Sequence, residues 1–245
     1  PDASSGSYFL AVRRLGLPST ECMEYSEQFG VKIQTSYLST VTVANWPRSG
    51  WQIDEWFPKV LALMDAELDP VAILSSDPQT DRELKDYRST LVSGGGISRS
   101  RNLGDGIMTA IVVAPFVAHE HVEKPIRFTD LGRLRLQECE RVAALRTELT
   151  KCGAKVIETG DTLEVYPSEL HGAEIETHND HRMAMCFAIL GLKVPGIKIK
   201  NPACVKKTFP NFFQKLAAPA PQGLGAVIRD GQTGRELGVP ELFAE

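Results

Sequence analysis

The stretch Thr177-His178-Asn179-Asp180-His181-Arg182-Met183-Ala184-Met185 places a carboxylate, an imidazole and a guanidinium side by side, directly before an apolar segment. Asp is a favoured N-cap residue, and small or apolar residues continue to Leu192, so we predict a buried helix that Asp180 caps. The N–H groups and dipole at such a helix start favour an anion, and Arg182 can add a bidentate contact. A capped helix with a surface Arg explains this stretch alone equally well.

Two other segments carry charge next to a predicted helix. Residues 201–213 bring Lys206 and Lys207 to the start of a predicted aromatic helix. The charged segment 135–141 leads into a further predicted helix. This helix runs from Glu138 to Cys152, with Gly153 at the C′ position after its end. These additional charges favour an anion site over a plain capped helix.

The composition is that of a globular protein. The 245 residues are 42% hydrophobic and 24% charged, enough for one large domain or two small ones. We find no apolar run of about 18 residues and therefore expect no membrane span. The net charge of −4 argues against a general nucleic-acid binder. The chain begins at Pro1 without a Met or a leader, so we expect a processed product or a part of a longer protein.

Cysteine and histidine spacing suggests no metal site. The five cysteines include no C-x-x-C pair, so we expect reduced thiols in a cytosolic compartment rather than disulfides or a zinc site. The five histidines also lack the spacing of metal ligands.

Short β-like runs alternate with amphipathic helices, which predicts an α/β fold. We predict helices at residues 2–13, 51–67, 105–116 and 138–152, strands at 41–43, 71–74 and 126–128, and a hairpin at 155–165. Asp105 is the expected first residue of its helix. The Gly-rich part of the polar segment 78–101 matches neither a dinucleotide fingerprint nor a P-loop, and we interpret it as a flexible loop.

One unit of the chain recurs. A small-residue helix, a strand, a loop and a second helix follow each other, with the first helices after Asp2, Asp105 and Asp180. The second helices are expected near Gln52, Glu138 and Lys207. This rhythm predicts a pseudo-symmetric domain in which helix starts converge.

Four segments resemble the C-terminal half of the 5-enolpyruvylshikimate-3-phosphate synthases, also called 3-phosphoshikimate 1-carboxyvinyltransferases. They are residues 1–11, 138–149, 179–185 and 207–213, of which the last two are the most specific. The likeness covers most of residues 1–216 in order. It is weak at 16–37 and 78–101, which we interpret as insertions, and residues 217–245 are expected to be a C-terminal extension.

The resemblance implies a fold and a reaction. The family has two similar domains of repeated βαβαββ units, an inside-out α/β barrel, and the second domain is largely absent from this chain. The implied reaction transfers the enolpyruvyl group from phosphoenolpyruvate to shikimate 3-phosphate, without metal or organic cofactor. The missing N-terminal half is then an expected partner, and the expected compartment is the cytoplasm, or the plastid in a plant or alga.

The resemblance also assigns site residues. Addition of a hydroxyl to the enolpyruvyl double bond needs a base at the hydroxyl and an acid at the methylene carbon. Asp105 matches the family's base, while Glu138 and Lys207 match residues for proton transfer and charge stabilisation. Arg141 and Arg182 match the arginines that bind phosphoenolpyruvate. The plainer alternatives are a helix cap for Asp105 and a surface ion pair for Glu138 and Arg141.

Two positions depart from the family pattern. Gln137 stands where a Lys is typical, so a charged contact to shikimate 3-phosphate becomes neutral, and Arg133 stands where a small polar residue is common. We count both as substrate-binding residues. Two other functions stay open: an enolpyruvyl transferase that acts on a UDP-sugar, and a non-catalytic anion-binding module of the same fold.

Overall fold

The computed structural model describes residues 3–15, 52–66, 95–116 and 124–245, and it confirms a mixed α/β fold. The helices are α1 (Ala3–Arg14), α2 (Phe57–Ala66), α3 (Ile107–Val113), α4 (Arg141–Lys151), α5 (His181–Gly191) and α6 (Phe212–Ala217). The strands are β1 (Ile97–Ser98), β2 (Ile126–Thr129), β3 (Val156–Thr159), β4 (Thr162–Val165), β5 (Glu174–Ile175) and β6 (Lys198–Ile199). Short 3-10 helices span Ile53–Trp56, Ala114–Phe116, Leu131–Leu136, Pro202–Lys207 and Val239–Leu242.

The strands form two small sheets. In the larger sheet the order is β1-β2-β4-β3, with β1 parallel to β2 and the other neighbours antiparallel. The hairpin of β3 and β4 turns at Gly160, whose φ of 55° suits a residue without Cβ. Strands β5 and β6 pair in parallel as the second sheet. Gly96, with φ of 131°, lies against the carbonyl of Arg127, so this glycine serves the close pairing of β1 with β2.

The core lies where helices α1, α3 and α5 pack against one another. Every residue of α3 is buried, as the nearly uncharged sequence of this helix predicts. Each large apolar side chain removed from water in this way stabilises the fold by roughly 1.5–3 kcal/mol. Tyr8 of α1 also contacts Phe212 of α6 edge to face, with ring centroids 5.7 Å apart. Because these helices pack tightly against one another, their N-terminal ends are held in fixed relative positions.

Several predicted elements are confirmed. Asp180 caps α5, a strand lies at 126–129, and the hairpin forms at 156–165. Helix α4 closes before Gly153, which has a φ of 94°. The predicted strands at 41–43 and 71–74, Asp2 and the proposed insertion at 16–37 lie outside the described residues.

The predicted helix starts at Glu138 and Lys207 are wrong. Helix α4 begins at Arg141 instead of Glu138, because the Glu140 side chain accepts a hydrogen bond from the Ala143 N–H and caps the helix there. Lys207 ends a 3-10 helix and does not start an α-helix. Pro210 has no N–H to donate, and α6 begins only at Phe212.

The C-terminal tail folds back onto α6. The Ala226 N–H donates to the Leu216 carbonyl, and the Ala244 N–H donates to the Pro210 carbonyl at 2.9 Å. Leu242 is buried in the core cluster. In the residues that the structure describes, no helix is long and apolar enough to cross a membrane.

Candidate active site

A buried ion pair joins α4 to the start of α5. Arg141 donates from Nε to Asp180 Oδ2 at 2.6 Å and from Nη2 to Asp180 Oδ1 at 3.2 Å, a bidentate contact. Only 2% of the Arg141 side chain is exposed, and none of Asp180. Burial alone would raise the pKa of Asp180, but the Arg141 guanidinium and the Arg182 N–H hold it below its usual range. Asp180 is therefore ionised and serves both as a helix cap and as the partner of Arg141.

Asp105 lies among three arginines. Its Oδ1 accepts from Arg99 Nη2 at 2.7 Å, and its Oδ2 lies 3.3 Å from Arg182 Nη2 and 3.8 Å from Arg141 Nη1. Burial acts to raise the pKa of Asp105, but the charges of Arg182, Arg99 and Arg141 outweigh it and lower this pKa. Asp105 is thus a carboxylate at neutral pH, the form that can accept a proton.

Asp105 does not cap α3, contrary to the prediction that this helix starts at Asp105. Gly106 occupies the N-cap position, and the Gly106 N–H donates to Asp54 Oδ1 at 2.8 Å. Because a carboxylate from another segment satisfies this donor, Asp105 is free to face the arginines. The alternative in which Asp105 is a cap is wrong.

The starts of α1, α3 and α5 meet at Arg182. Its Nη2 lies 3.4 Å from the Ser4 hydroxyl of α1 as well as near Asp105, and its guanidinium hydrogen-bonds the buried Tyr8 hydroxyl. With 16% of its side chain exposed, Arg182 is more open than Arg141. The alternative of a solvated surface Arg therefore does not describe Arg182.

Gln137 contacts an arginine of the site. Its Oε1 accepts from Arg141 Nη1 at 2.6 Å. A Lys at this position has no acceptor and would bring a second positive charge to Arg141. The Gln at position 137 therefore gives Arg141 a hydrogen-bond acceptor, which a Lys could not.

Glu138 and Lys207 form a second, more exposed pair. Lys207 Nζ lies 2.5 Å from Glu138 Oε2, and the pKa of Glu138 is lowered chiefly by this hydrogen bond. Asp180 and His181 lie close enough to influence the pKa of Glu138, which places the pair beside the arginine cluster. The expected alternative of a helical Glu138–Arg141 ion pair is wrong, because Glu138 precedes α4 and Arg141 turns inward to Asp180.

Arg133 stands apart from these contacts. It is exposed on the 3-10 helix Leu131–Leu136, and it makes no hydrogen bond or ion pair with the described residues. Its predicted contact with substrate stays a prediction.

Two buried side-chain nitrogens of the cluster keep free hydrogen-bonding capacity within the described residues. Arg99 Nε and His181 Nδ1 have no hydrogen-bond partner among the described residues. A buried polar atom without a partner costs free energy that a ligand can offset. His181 is the first residue of α5, and burial lowers its pKa despite the nearby Asp180 charge, so the ring is neutral at pH 7.

Sequence reasoning found part of this cluster. It named Asp105, Arg141 and Arg182, which the structure brings together, and Glu138 and Lys207, which pair with each other. It missed Arg99 and Asp54. The only sequence signal for Arg99 was the basic run that ends the polar segment, and Asp54 lies in an ordinary amphipathic pattern.

The fold and the site define an α/β domain that gathers arginines and carboxylates where helix starts meet, a composition suited to an anionic ligand. Residues 32–216 match the model of the EPSP synthase (3-phosphoshikimate 1-carboxyvinyltransferase) family. The chain belongs to this family.

The curated relatives agree. A chloroplastic 3-phosphoshikimate 1-carboxyvinyltransferase of Solanum lycopersicum is 34% identical over 88% of this chain and 36% of its own length. The enzyme of the same name from Shewanella amazonensis is 33% identical over 88% of this chain and 42% of its length. The Nostoc punctiforme enzyme is 43% identical over 47% of this chain, which is 26% of the relative. The chain thus spans less than half the length of these relatives.

A solved structure of an EPSP synthase from Acinetobacter baumannii is also similar. It is 28% identical over 46% of this chain and 26% of that protein, with a TM-score of 0.40.

Proposed function

We propose that this chain forms part of a 3-phosphoshikimate 1-carboxyvinyltransferase, which transfers the enolpyruvyl group of phosphoenolpyruvate to shikimate 3-phosphate. The products are 5-enolpyruvylshikimate 3-phosphate and phosphate. The observation that carries this proposal is the position of Asp105, ionised and surrounded by Arg99, Arg141 and Arg182. A potential base beside a dense positive charge suits a reaction between two phosphorylated substrates.

The three arginines have different roles in the proposed binding of phosphoenolpyruvate. Arg182 is partly exposed, and Arg99 Nε has no hydrogen-bond partner in the part of the chain that the structure describes, so these two offer donors to a carboxylate or phosphate. Arg141 donates from Nε and Nη2 to Asp180. It therefore contributes mainly positive charge and holds the start of α5 in place. Gln137 and Arg133 remain the proposed contacts to shikimate 3-phosphate.

The chemistry has two steps. In the first, the hydroxyl oxygen of shikimate 3-phosphate forms a bond to the central carbon of phosphoenolpyruvate, Asp105 accepts the hydroxyl proton, and the methylene carbon gains a proton to become a methyl group. In the second, the bond from that carbon to the phosphate oxygen breaks, phosphate leaves, and the methyl group loses a proton as the double bond returns. Glu138 and Lys207 are the proposed groups that give and take the carbon-bound proton.

The rest of the enzyme is proposed to come from outside this sequence. The chain covers 36% and 42% of two relatives, which supports a complementary N-terminal half. We further propose that residues 1–216 form a domain of repeated βαβαββ units, with insertions at 16–37 and 78–101, and that 217–245 is an extension. The proposed compartment is the cytoplasm or the plastid, in line with a relative named chloroplastic.

The test is a phosphate-release assay with phosphoenolpyruvate and shikimate 3-phosphate. The chain alone should turn over slowly or not at all, and adding the N-terminal half of a relative should give rates of about 1–1000 per second. Asp105→Asn should then lower turnover by about 10²–10⁴-fold, the usual contribution of a general base. Asp230→Asn, in the exposed tail, is the matched control.

Two outcomes would contradict the proposal. Robust turnover by the chain alone would remove the need for a second half. Binding of phosphoenolpyruvate without turnover in the reassembled complex would favour a non-catalytic anion-binding module. Replacing shikimate 3-phosphate by a UDP-sugar acceptor in the same assay tests the remaining alternative.

A further inference from the structure

We infer that Asp54 is a positioning residue that keeps Asp105 directed at the arginines by capping α3 in its place. This inference rests on the proposed function, since it explains how the proposed base is held. Asp54 lies on the 3-10 helix Ile53–Trp56, far from Asp105 in sequence.

The geometry around Asp54 is specific. Asp54 is only 9% exposed, and its Oδ1 accepts from the Gly106 N–H at 2.8 Å. The backbone of Gly104 also hydrogen-bonds the same carboxyl group. A Cβ at Gly104 would lie 2.7 Å from Asp54 Oδ2, and a Cβ at Gly106 would lie 2.5 Å from Oδ1. Glycine on both sides of Asp105 therefore lets the Asp54 carboxyl group approach the backbone.

The cap leaves Asp105 with other partners. An Asp beside a helix start ordinarily turns its carboxylate to the free N–H groups of the first turn. Here the Asp54 oxygen already satisfies the Gly106 N–H, and the Asp105 oxygens reach Arg99 at 2.7 Å and Arg182 at 3.3 Å. Without an acceptor at position 54, the Gly106 N–H would be left without a partner and would attract Asp105.

The role needs an acceptor oxygen at position 54 and not a negative charge. Burial raises the pKa of Asp54, and so does the charge of Asp105, whereas the Gly106 hydrogen bond lowers it. A carboxyl group retains an acceptor oxygen in both protonation states. Asn, which has an amide oxygen in the same position, should therefore replace Asp54, and Ala should not.

The decisive experiment compares Asp54→Asn with Asp54→Ala in the full chain. Both variants remove the charge at position 54, and only Asn keeps an acceptor. We expect carbon-detected NMR titration to give a lowered pKa for Asp105 in the wild type and in Asp54→Asn. In Asp54→Ala this pKa should move towards its ordinary value of 3.8, because the carboxylate leaves the arginines. Equal Asp105 pKa values in the two variants would overturn the inference.

A second measurement does not depend on the stability of Asp54→Ala. Asp105→Ala should leave hydrogen exchange of the Gly106 amide as slow as in the wild type, because Asp54 makes the cap. Exchange that becomes about fivefold faster, as loss of a typical cap predicts, would show that Asp105 shares the cap and would overturn the inference.

Turnover separates this inference from the proposed function. In the reassembled enzyme, Asp54→Ala should lower kcat roughly tenfold or more with little change in the KM for phosphoenolpyruvate, and Asp54→Asn should restore it. Full kcat in Asp54→Ala would overturn the positioning role. Absence of turnover in the wild-type complex would overturn the proposed function alone, and the NMR comparison would still decide the role of Asp54.

Discussion

At the scale of single residues, Gln137 changes what Arg141 can do. Its amide oxygen accepts a hydrogen bond from Arg141 Nη1 at 2.6 Å, while the Asp180 carboxylate accepts two others from the same guanidinium group. The family resemblance implied that a neutral side chain stands at position 137, where a Lys is typical. It could not show that the replacement contacts Arg141, because this contact depends on how the segment before α4 folds.

Gln137→Lys should therefore strengthen binding of phosphoenolpyruvate. The change frees one Arg141 donor and adds a charge, and a hydrogen bond to a charged group contributes about 1.5–3 kcal/mol, or roughly tenfold or more in affinity. Calorimetry on the reassembled complex measures this. Gln137→Met is the matched control, because it frees the donor without adding charge. Unchanged affinity in Gln137→Lys would show that the Gln137–Arg141 contact does not limit binding.

The two predicted arginines should also respond differently to truncation. Arg141→Ala leaves the buried Asp180 without its partner, which typically costs about 3–5 kcal/mol of stability. Arg182→Ala opens a more exposed site and should mainly weaken phosphoenolpyruvate binding, by about 1.5–3 kcal/mol. Urea unfolding and calorimetry on the same two proteins separate these effects. Equal stability losses would contradict the assignment of Arg141 as the supporting arginine.

At the scale of elements, local signals were sufficient for some helices and strands. The α5 helix carries its own cap at Asp180, and the hairpin of β3 and β4 carries its own turn. The start of α3 was misjudged because its cap comes from Asp54, a residue distant in sequence. Helix starts that depend on tertiary contacts are therefore the part of this fold that periodicity alone cannot locate.

His181, the first residue of α5, should make the stability of the fold depend on pH. Burial lowers the pKa of His181 below its ordinary value of 6.5, so the unfolded chain binds this proton first as the pH falls. The contribution of His181 to the free energy of unfolding is therefore present above pH 6.5. It is lost as the pH falls through the pKa that His181 has in the folded state. Urea unfolding between about pH 5 and 7.5 should show a slope of up to about 1.4 kcal/mol per pH unit that His181→Gln reduces.

An exposed histidine provides the control for this experiment. His171→Gln is this control, because it removes an imidazole that lies at the surface between β4 and β5. A slope that is the same in the wild type and in His181→Gln would mean that His181 takes up its proton equally well in the folded chain.

At the scale of the whole molecule, the candidate site is assembled from distant segments. Asp54, Arg99, Asp105, Arg141 and Arg182 lie on four separate stretches of the chain, since only Arg99 and Asp105 are close in sequence. Resemblance to the family identified Arg141 and Arg182 within matching segments, and Asp105 by its position before a helix. Arg99 and Asp54 lie outside those motifs, and their roles follow only from contacts across the core. The family resemblance named residues that the structure brings together, whereas the residues that support them could not be found from the sequence.

The tail provides the last prediction, because it tests whether residues beyond the family match belong to the same folded unit. The match ends at residue 216, yet Leu242 is only 8% exposed and lies in the core cluster. Phe243, its neighbour, is 49% exposed. Leu242→Ala should lower the free energy of unfolding by about 2 kcal/mol, the lower end for a buried Leu, and Phe243→Ala by less than about 0.5 kcal/mol.

Urea unfolding followed by fluorescence measures the stability of both variants. The tail also supports the candidate site through the hydrogen bonds that attach it to the rest of the fold. The Ala244 N–H holds the Pro210 carbonyl at 2.9 Å, and Gln214 Nε2 donates to the Val239 carbonyl at 3.0 Å. Pro210 lies three residues after Lys207, so a tail that packs as part of the fold also fixes the segment that presents Lys207 to Glu138. Equal, small effects of the two substitutions would mean that the tail is not part of this unit. Lys207 would then be held without the tail, by its 3-10 helix and its ion pair with Glu138.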